Sequence, residues 1–262
     1  MLRIEKVDGH NKQCVIDFLR FDVVHHVFAF YDILYEPQHT SMYVAFENEG
    51  LKGYVLEYTA LDFPSVILEG ESRAAERLLD YAPRDRFIMH IPPDLLQAVK
   101  RKFPSANCYV ENWMLVKKGD ANLLRSIFTR RLQTADASKL ARLLSAREER
   151  PTGVEKRYLD WINRMPIFGV FLNEELVSYA GSFLQLPQVW MIGGVFTHPN
   201  HRNKGYATLA TSAVTEEALR NAEAAALFVR SDNYSAIAAY GKIGYKKVGE
   251  KVWVDVETGM KP

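Results

Sequence analysis

Two short stretches near the end of the chain combine residue types and spacing that could do chemistry. The first is RNKGYA, Arg202 to Ala207, which follows THPNH and leads directly into a long helical pattern. A helix that starts there presents backbone N–H groups without helical acceptors, and the positive end of its dipole. Gly205 and Ala207 add no bulk that would hold a phosphate away, while Arg202 and Lys204 either add charge-assisted contacts or stay solvated. The second stretch is SDNYSAIAAYGKIGY, Ser231 to Tyr245. Asn233 and Tyr240 lie two helical turns apart in it, so their side chains can share one face. Ahead of both runs VWMIGGVFT, whose adjacent Gly193 and Gly194 weaken a strand interior and mark a bulge or a close backbone approach.

The elements that must position these residues follow from patterning. The chain has 262 residues, 48% of them apolar, enough for one large or two ordinary domains. Its 33 basic and 32 acidic residues leave a net charge of +1, so no global field points to nucleic acid or an anionic membrane, and an anion must be held locally. No apolar run reaches about 18 residues and the N-terminus lacks a signal-peptide pattern, so a cytoplasmic protein is expected. Cys14 and Cys108 suit neither a disulfide framework nor a zinc site and are expected as free, partly buried thiols.

The first half reads as a short strand, a helix from Asn11, the aromatic stretch VVHHVFAFYDILY, the hairpin SMYVAFE and GYVLEYTA, the strand SVILEG, the helix RAAERLLDYA, the strand RFIMHI, the helix PPDLLQAVKRKF and the strand CYVENWMLVK. KKGDAN, Lys117 to Asn122, reads as the boundary between domains spanning 1–120 and 121–262. The second half then repeats the order: strand RRLQTA, a helix capped by Asp136, a second helix EKRYLDWINRM, three strands, a long helix from about Lys204, the strand AALFVR, a short helix from Tyr234 and a closing strand. The expected fold is mixed α/β, a tandem of twisted mixed sheets flanked by helices.

RNKGYA together with N-x-x-A-x-x-x-Y-x-x-x-G-Y resembles the GNAT superfamily of CoA-dependent N-acyltransferases, over about Arg130 to Val256. The resemblance implies an acyl-CoA, acetyl-CoA or another, lying where two parallel strands part. Backbone groups of Val195, Phe196 and Thr197 would hold the pantetheine arm, and amides of Asn203, Lys204, Gly205, Tyr206, Ala207 and Thr208 the pyrophosphate. Asn233 would contact the arm or cap its helix. Tyr240 would protonate the leaving thiolate, for which a phenol with pKa about 10 suits a thiol near about 8.5; its plainer role is packing. Members of the family that carry a glutamate base on a splayed strand differ from this chain, where VWMIGGVFT and AALFVR contain no acidic residue. A neutral amine, a water chain, or His198 or His201 could serve instead. The HPNH spacing is weak support for a metal, and none is expected.

In the first half the matching position reads ESRAAERLL, where large side chains and Glu71 would exclude a pyrophosphate. This layout is similar to the glycine N-acyltransferase-like branch, with a degenerate N-terminal half. His25 and His26 read as a satisfied or partly exposed core pair, and Phe28, Phe30, Tyr31, Tyr35 and Tyr43 as packing. The reading is therefore an N-acetyltransferase with a small amine or amino-acid acceptor, no nucleic-acid or membrane partner, and a homodimer allowed. A non-catalytic acyl-CoA-binding regulatory module is the competing reading, and a purely structural tandem a third.

Overall fold

The computed structural model describes residues 1–147 and 155–257. Along the chain lie β1 (Arg3–Lys6), α1 (Lys12–Phe21), α2 (Val27–Tyr35), β2 (Thr40–Glu47), β3 (Gly50–Tyr58), β4 (Ser65–Gly70), α3 (Ser72–Leu78), β5 (Phe87–Ile91), α4 (Leu96–Lys102) and β6 (Asn107–Lys117). Then follow β7 (Thr129–Arg131), α5 (Ala137–Ser145), α6 (Glu155–Arg164), β8 (Ile167–Leu172), β9 (Glu175–Gln185), β10 (Val189–Thr197), α7 (Tyr206–Asn221), β11 (Ala224–Arg230), α8 (Tyr234–Ile243) and β12 (Lys246–Val256). Two compact units result: Met1–Asn112 with the chain from Gly249 onward, and Trp113–Val248. Each is a mixed sheet flanked by helices, the mixed α/β architecture that the alternating patterns imply.

The division differs from a boundary at 120/121. KKGDAN is not a free linker: Asn122 donates from its backbone to the Ile243 carbonyl at 2.8 Å and from its side chain to that of Lys242 at 3.1 Å, and Leu124 donates to Ser212 Oγ at 2.7 Å. These bonds take up orphan carbonyls at the end of α8 and tie the segment to the second unit. The C-terminal part of β12 belongs instead to the first unit, where Val252–Val256 pair antiparallel with β5.

The first unit orders its strands β1-β2-β3-β4-β5-β12, antiparallel except for β4 beside β5. Alternate residues Val66, Leu68, Phe87, Met89, Ile91, Val252 and Val254 form one core with Ala74, Ala75 and Leu78 of α3 and Ala98 and Val99 of α4. The intervening positions of β3, β4 and β12 supply Tyr54, Glu69 and Lys251 to the other face. There Glu69 ion-pairs with Lys251 and accepts from His25 Nε2 at 3.2 Å, while His26 Nδ1 bonds the Tyr54 hydroxyl at 2.9 Å. The two adjacent histidines are thus satisfied polar groups, and the helix begins only after them. Burial alone would raise the Glu69 carboxyl, but His25 and Lys251 outweigh it and hold it below the usual range. Of the aromatic stretch, Phe30 is core, whereas Tyr35 is 56% exposed and meets Tyr31 at a tilt, ring centroids 5.1 Å apart. Cys108 is half-buried as expected, but Cys14 is exposed on α1.

The second unit orders its strands β7-β8-β9-β10-β11, with the end of β6 next to β11. Strands β7 to β10 pair antiparallel with their neighbours, and β10 pairs with β11 in parallel. One core lies against α7 and α8, built from Val214, Ala218, Ile192, Leu227, Ile243 and their neighbours. A second lies under α5 and α6, with Leu140, Leu143, Ile162, Ile167 and Phe196. Asp136 does not cap α5 through its side chain. It accepts from Gln133 N at 2.9 Å across the preceding turn and from both Arg130 nitrogens at 2.7 and 2.8 Å, which hold its carboxyl below the usual range. Among the described residues no helix is long and apolar enough to cross a membrane.

The first unit's buried groups set a pH dependence. Burial, reinforced by neighbouring positive charge, lowers His26 and His90 each to about 4. Their contribution to stability is intact above about pH 6.5 and is lost as the pH falls toward 4. Burial, with Glu36 nearby, raises Asp32 to about 7, so its contribution runs the opposite way and is lost as the pH rises. One net proton remains, and urea unfolding of the first unit should lose about 1.4 kcal/mol per pH unit between pH 6.5 and 4.5. His26→Gln should flatten that slope; a wild-type profile already flat, or a slope unchanged in the variant, contradicts the assignment.

Candidate functional site

Strands β10 and β11 pair in parallel over three residues only, Val189 with Ala224 to Met191 with Ala226. Beyond that point β10 runs on to Thr197 and β11 to Arg230 without pairing to each other. The reason lies on the other side of β10. Its register against β9 shifts between Met191 and Ile192 and again between Gly193 and Phe196. Gly194 has φ +68°, which L side chains rarely adopt, and a Cβ there would stand 3.2 Å from the Tyr179 hydroxyl. A Cβ on Gly193 would come within 2.8 Å of the Phe183 ring. A bulge of this kind increases local twist and turns the strand away from its neighbour.

Past the bulge β10 is held from the β9 side alone. Phe196 pairs with Tyr179 and Thr197 with Ser178. Ser178 Oγ donates to the Phe196 carbonyl at 3.2 Å and lies 2.8 Å from Thr197 Oγ1. The edge of Val195, Phe196 and Thr197 that faces β11 therefore carries main-chain donors and acceptors without a strand partner, a template for an extended chain.

The same strand delivers the chain to the start of α7. His198, Pro199 and Asn200 turn it, and Asn203 (φ 61°) and Gly205 (φ 81°) are both left-handed. A side chain on Gly205 would meet nothing within 4 Å, so conformation, not crowding, demands glycine there. Gly205 provides no side-chain cap, which leaves the first-turn amides of Tyr206, Ala207 and Thr208 without helical acceptors, while Leu209 N bonds the Gly205 carbonyl. Arg202 and Lys204 fold back on the loop, Arg202 Nε 3.4 Å from the Thr197 carbonyl and Lys204 Nζ 3.5 Å from that of Asn200. Among the described residues neither has a carboxylate partner. Donors and positive charge without a built-in anion converge on this turn.

On α8, Asn233 Oδ1 accepts from Ala236 N at 3.2 Å and from Ser235 Oγ at 3.0 Å, so it caps the helix. Tyr240, two turns on, is 7% exposed and packs in the core shared with α7. Burial pushes its phenol up to about 12, two units above the ordinary value that its residue type alone suggests. It stays protonated across the neutral range. His198 Nδ1 accepts from Asn200 N at 3.3 Å, which places the proton of the neutral ring on Nε2 and leaves that ring a donor. His201 buries Nδ1 without a hydrogen-bond partner. No group of three or more His, Cys, Asp or Glu side chains converges among the described residues.

The first unit repeats the parallel pair, β4 leaving β5 after Ile67 and His90, but not the cradle. Glu71 stands at the start of α3 and pairs with Lys52 at 2.8 Å. Signals such as the Tyr179 and Phe183 contacts that enforce the bulge, and the Ser178 hydroxyl that anchors it, lie on β9 and are silent in a reading of β10 alone.

Residues 134–245 match the family described as the acetyltransferase (GNAT) family. No curated protein matches the chain. Among solved structures, a Drosophila protein aligns with TM-score 0.75 at 13% identity, covering 97% of this chain and 98% of that one. A GCN5-related N-acetyltransferase from Sphaerobacter thermophilus aligns with TM-score 0.64 at 12% identity, covering 100% and 98%. A tandem GNAT protein from the clavulanic acid biosynthesis pathway aligns with TM-score 0.60 at 13% identity over 100% of both chains. At these identities the likeness is one of fold.

Two glycines separate conformation from function. Gly205→Ala should cost about 1 kcal/mol through its left-handed φ, whereas Gly241→Ala, inside α8 with open space around it, should gain about 0.5 kcal/mol. Urea midpoints that moved together would contradict the strained turn.

Proposed function

We propose that the Trp113–Val248 unit is an N-acyltransferase that moves an acetyl or other short acyl group from CoA to the amine of a small molecule or amino acid. The observation that carries this reading is the parting of β10 from β11 beside an uncapped helix start, with a buried phenol on the next helix. Acetyl-CoA supplies the thioester when bound, and the residues present fit it. Main-chain groups of Val195, Phe196 and Thr197 pair with the arm as a strand would. The amides from Asn203 to Thr208 take the pyrophosphate, with Arg202 and Lys204 turning from the loop carbonyls to the phosphates. Asn233 keeps Oδ1 on its cap and offers its amide NH2 to the arm.

In the transfer, the acceptor nitrogen attacks the thioester carbonyl, the C–N bond forms and the C–S bond breaks. The Tyr240 hydroxyl gives its proton to the departing sulfur, and the proton lost by the amine returns to the phenolate through water. The burial that makes Tyr240 a weaker acid acts on the thiolate with the same sign, so the two stay matched in a dry site. No carboxylate lies on β10 or β11, and His198 presents a donor, so the acceptor is taken to bind as the neutral amine. The near-neutral net charge favours a small acceptor, such as a small amine or an amino acid, over a strongly charged macromolecule. The first unit, with Glu71 at its helix start, is read as not binding acyl-CoA.

The missing carboxylate equally favours a second reading, a non-catalytic module that binds acyl-CoA and reports it to a partner. Thiol release from acetyl-CoA across an amine panel separates the two. For the enzyme, Tyr240→Phe should lower kcat by about 100-fold or more and leave the acetyl-CoA Kd within about twofold. Undiminished turnover removes Tyr240 from the chemistry, and binding without thiol release for any amine favours the sensor.

A further inference from the structure

Tyr240 can serve one end of a bound acyl-CoA only if α8 stands correctly against α7, whose start serves the other end. Besides the apolar core that the two helices share, a second tyrosine links them. The Tyr245 backbone N–H donates to the Tyr240 carbonyl at 3.2 Å, and the two rings meet edge to face with centroids 6.1 Å apart. The Tyr245 ring is 3% exposed, and its hydroxyl lies 2.9 Å from Thr215 Oγ1. Thr215 already donates to the Thr211 carbonyl at 2.7 Å, so the bond between the two hydroxyls runs from Tyr245 to Thr215. Thr215, Thr211 and the cradle amides of Tyr206, Ala207 and Thr208 stand on one rigid helix. Among the described residues no hydrogen bond reaches the Tyr240 hydroxyl, so the phenol takes its place from its helix rather than from a partner of its own.

A bonded chain therefore runs from the residue read as the acid, through Tyr245 and Thr215, to the helix that begins at the phosphate cradle. Phenylalanine at 245 would pack as well, so packing leaves the hydroxyl unexplained; a buried hydroxyl is kept at a desolvation cost that its bond to Thr215 must offset.

We propose that Tyr245 is a positioning residue, whose hydrogen bond to Thr215 fixes α8 against α7 and so holds the Tyr240 phenol where the sulfur of a CoA anchored at the α7 start would lie. The proposal rests on the reading of Tyr240 as the acid. Tyr245→Phe should lower kcat about tenfold while the KM for acetyl-CoA stays within about twofold, because the cradle is untouched. Thr215→Val should do the same, the double variant should be no worse than either single one, and Thr215→Ser should retain wild-type turnover. Equal kcat for Tyr245→Phe and wild type, or a fall shared equally by Thr215→Ser, overturns it. Because activity also depends on the acyl-transfer reading, the 13Cζ NMR signal of Tyr240 is followed in the same variants without substrate. A signal that shifts or broadens in Tyr245→Phe and Thr215→Val, but not in Thr215→Ser, is expected whether or not an acceptor is found. An unchanged signal in Tyr245→Phe refutes the positioning role independently of any reaction.

Discussion

The second unit is organised around a place where two parallel strands stop pairing. Every main-chain group in a sheet interior needs a partner, and separating β10 from β11 after Met191 and Ala226 removes the neighbouring strand from the rest of β10. The unit supports this opening from behind. Gly193 and Gly194 admit the Phe183 and Tyr179 rings, and Ser178 ties the end of β10 to β9. The free edge of β10 follows from this departure from regular pairing; the uncapped start of α7 and the buried phenol of Tyr240 are separate features of the same unit. Each alone has an ordinary explanation. Together they are what the proposed acyl-CoA site would use: the β10 edge for the arm, the α7 start for the phosphates and the Tyr240 phenol for the acid.

The first unit carries different residues at the corresponding positions. Its β4 and β5 also pair in parallel over three residues, but without a bulge, and the helix start carries Glu71, paired with Lys52, while the end of β4 carries Glu69, buried against Lys251 and His25. A buried ion pair of this kind contributes little net stability compared with apolar packing, but removing one member alone leaves an uncompensated charge. Charge already placed at these positions disfavours a pyrophosphate.

Much of the second unit was legible because its signals are local. RNKGYA states a helix start with small residues, and the Gly193–Gly194 pair states an irregular strand, whereas the left-handed turn at Asn203 and Gly205 emerges only in the fold. Capping by Asn233 was one of two roles its position allowed, and its Oδ1 does cap the helix that bears Tyr240. What the sequence hid is non-local. Lys251 meets Glu69 across 182 positions, and no pattern in either segment announces the other. Asp136 looks like a cap for α5 until Arg130 and Gln133 claim its oxygens. The closing strand reads as one element of one domain, although its two ends belong to different units. Tyr240 reads as an ordinary phenol, because its residue type says nothing of the desolvation that raises it to about 12.

If the parted β10 edge and the α7 start together hold an acyl-CoA, amide hydrogen exchange with and without saturating acetyl-CoA should reveal it. Protection should appear in two stretches, residues 192–197 and 203–208, while residues 65–78 of the first unit exchange as before. Protection absent from those stretches, or of equal size at 65–78, would contradict the account.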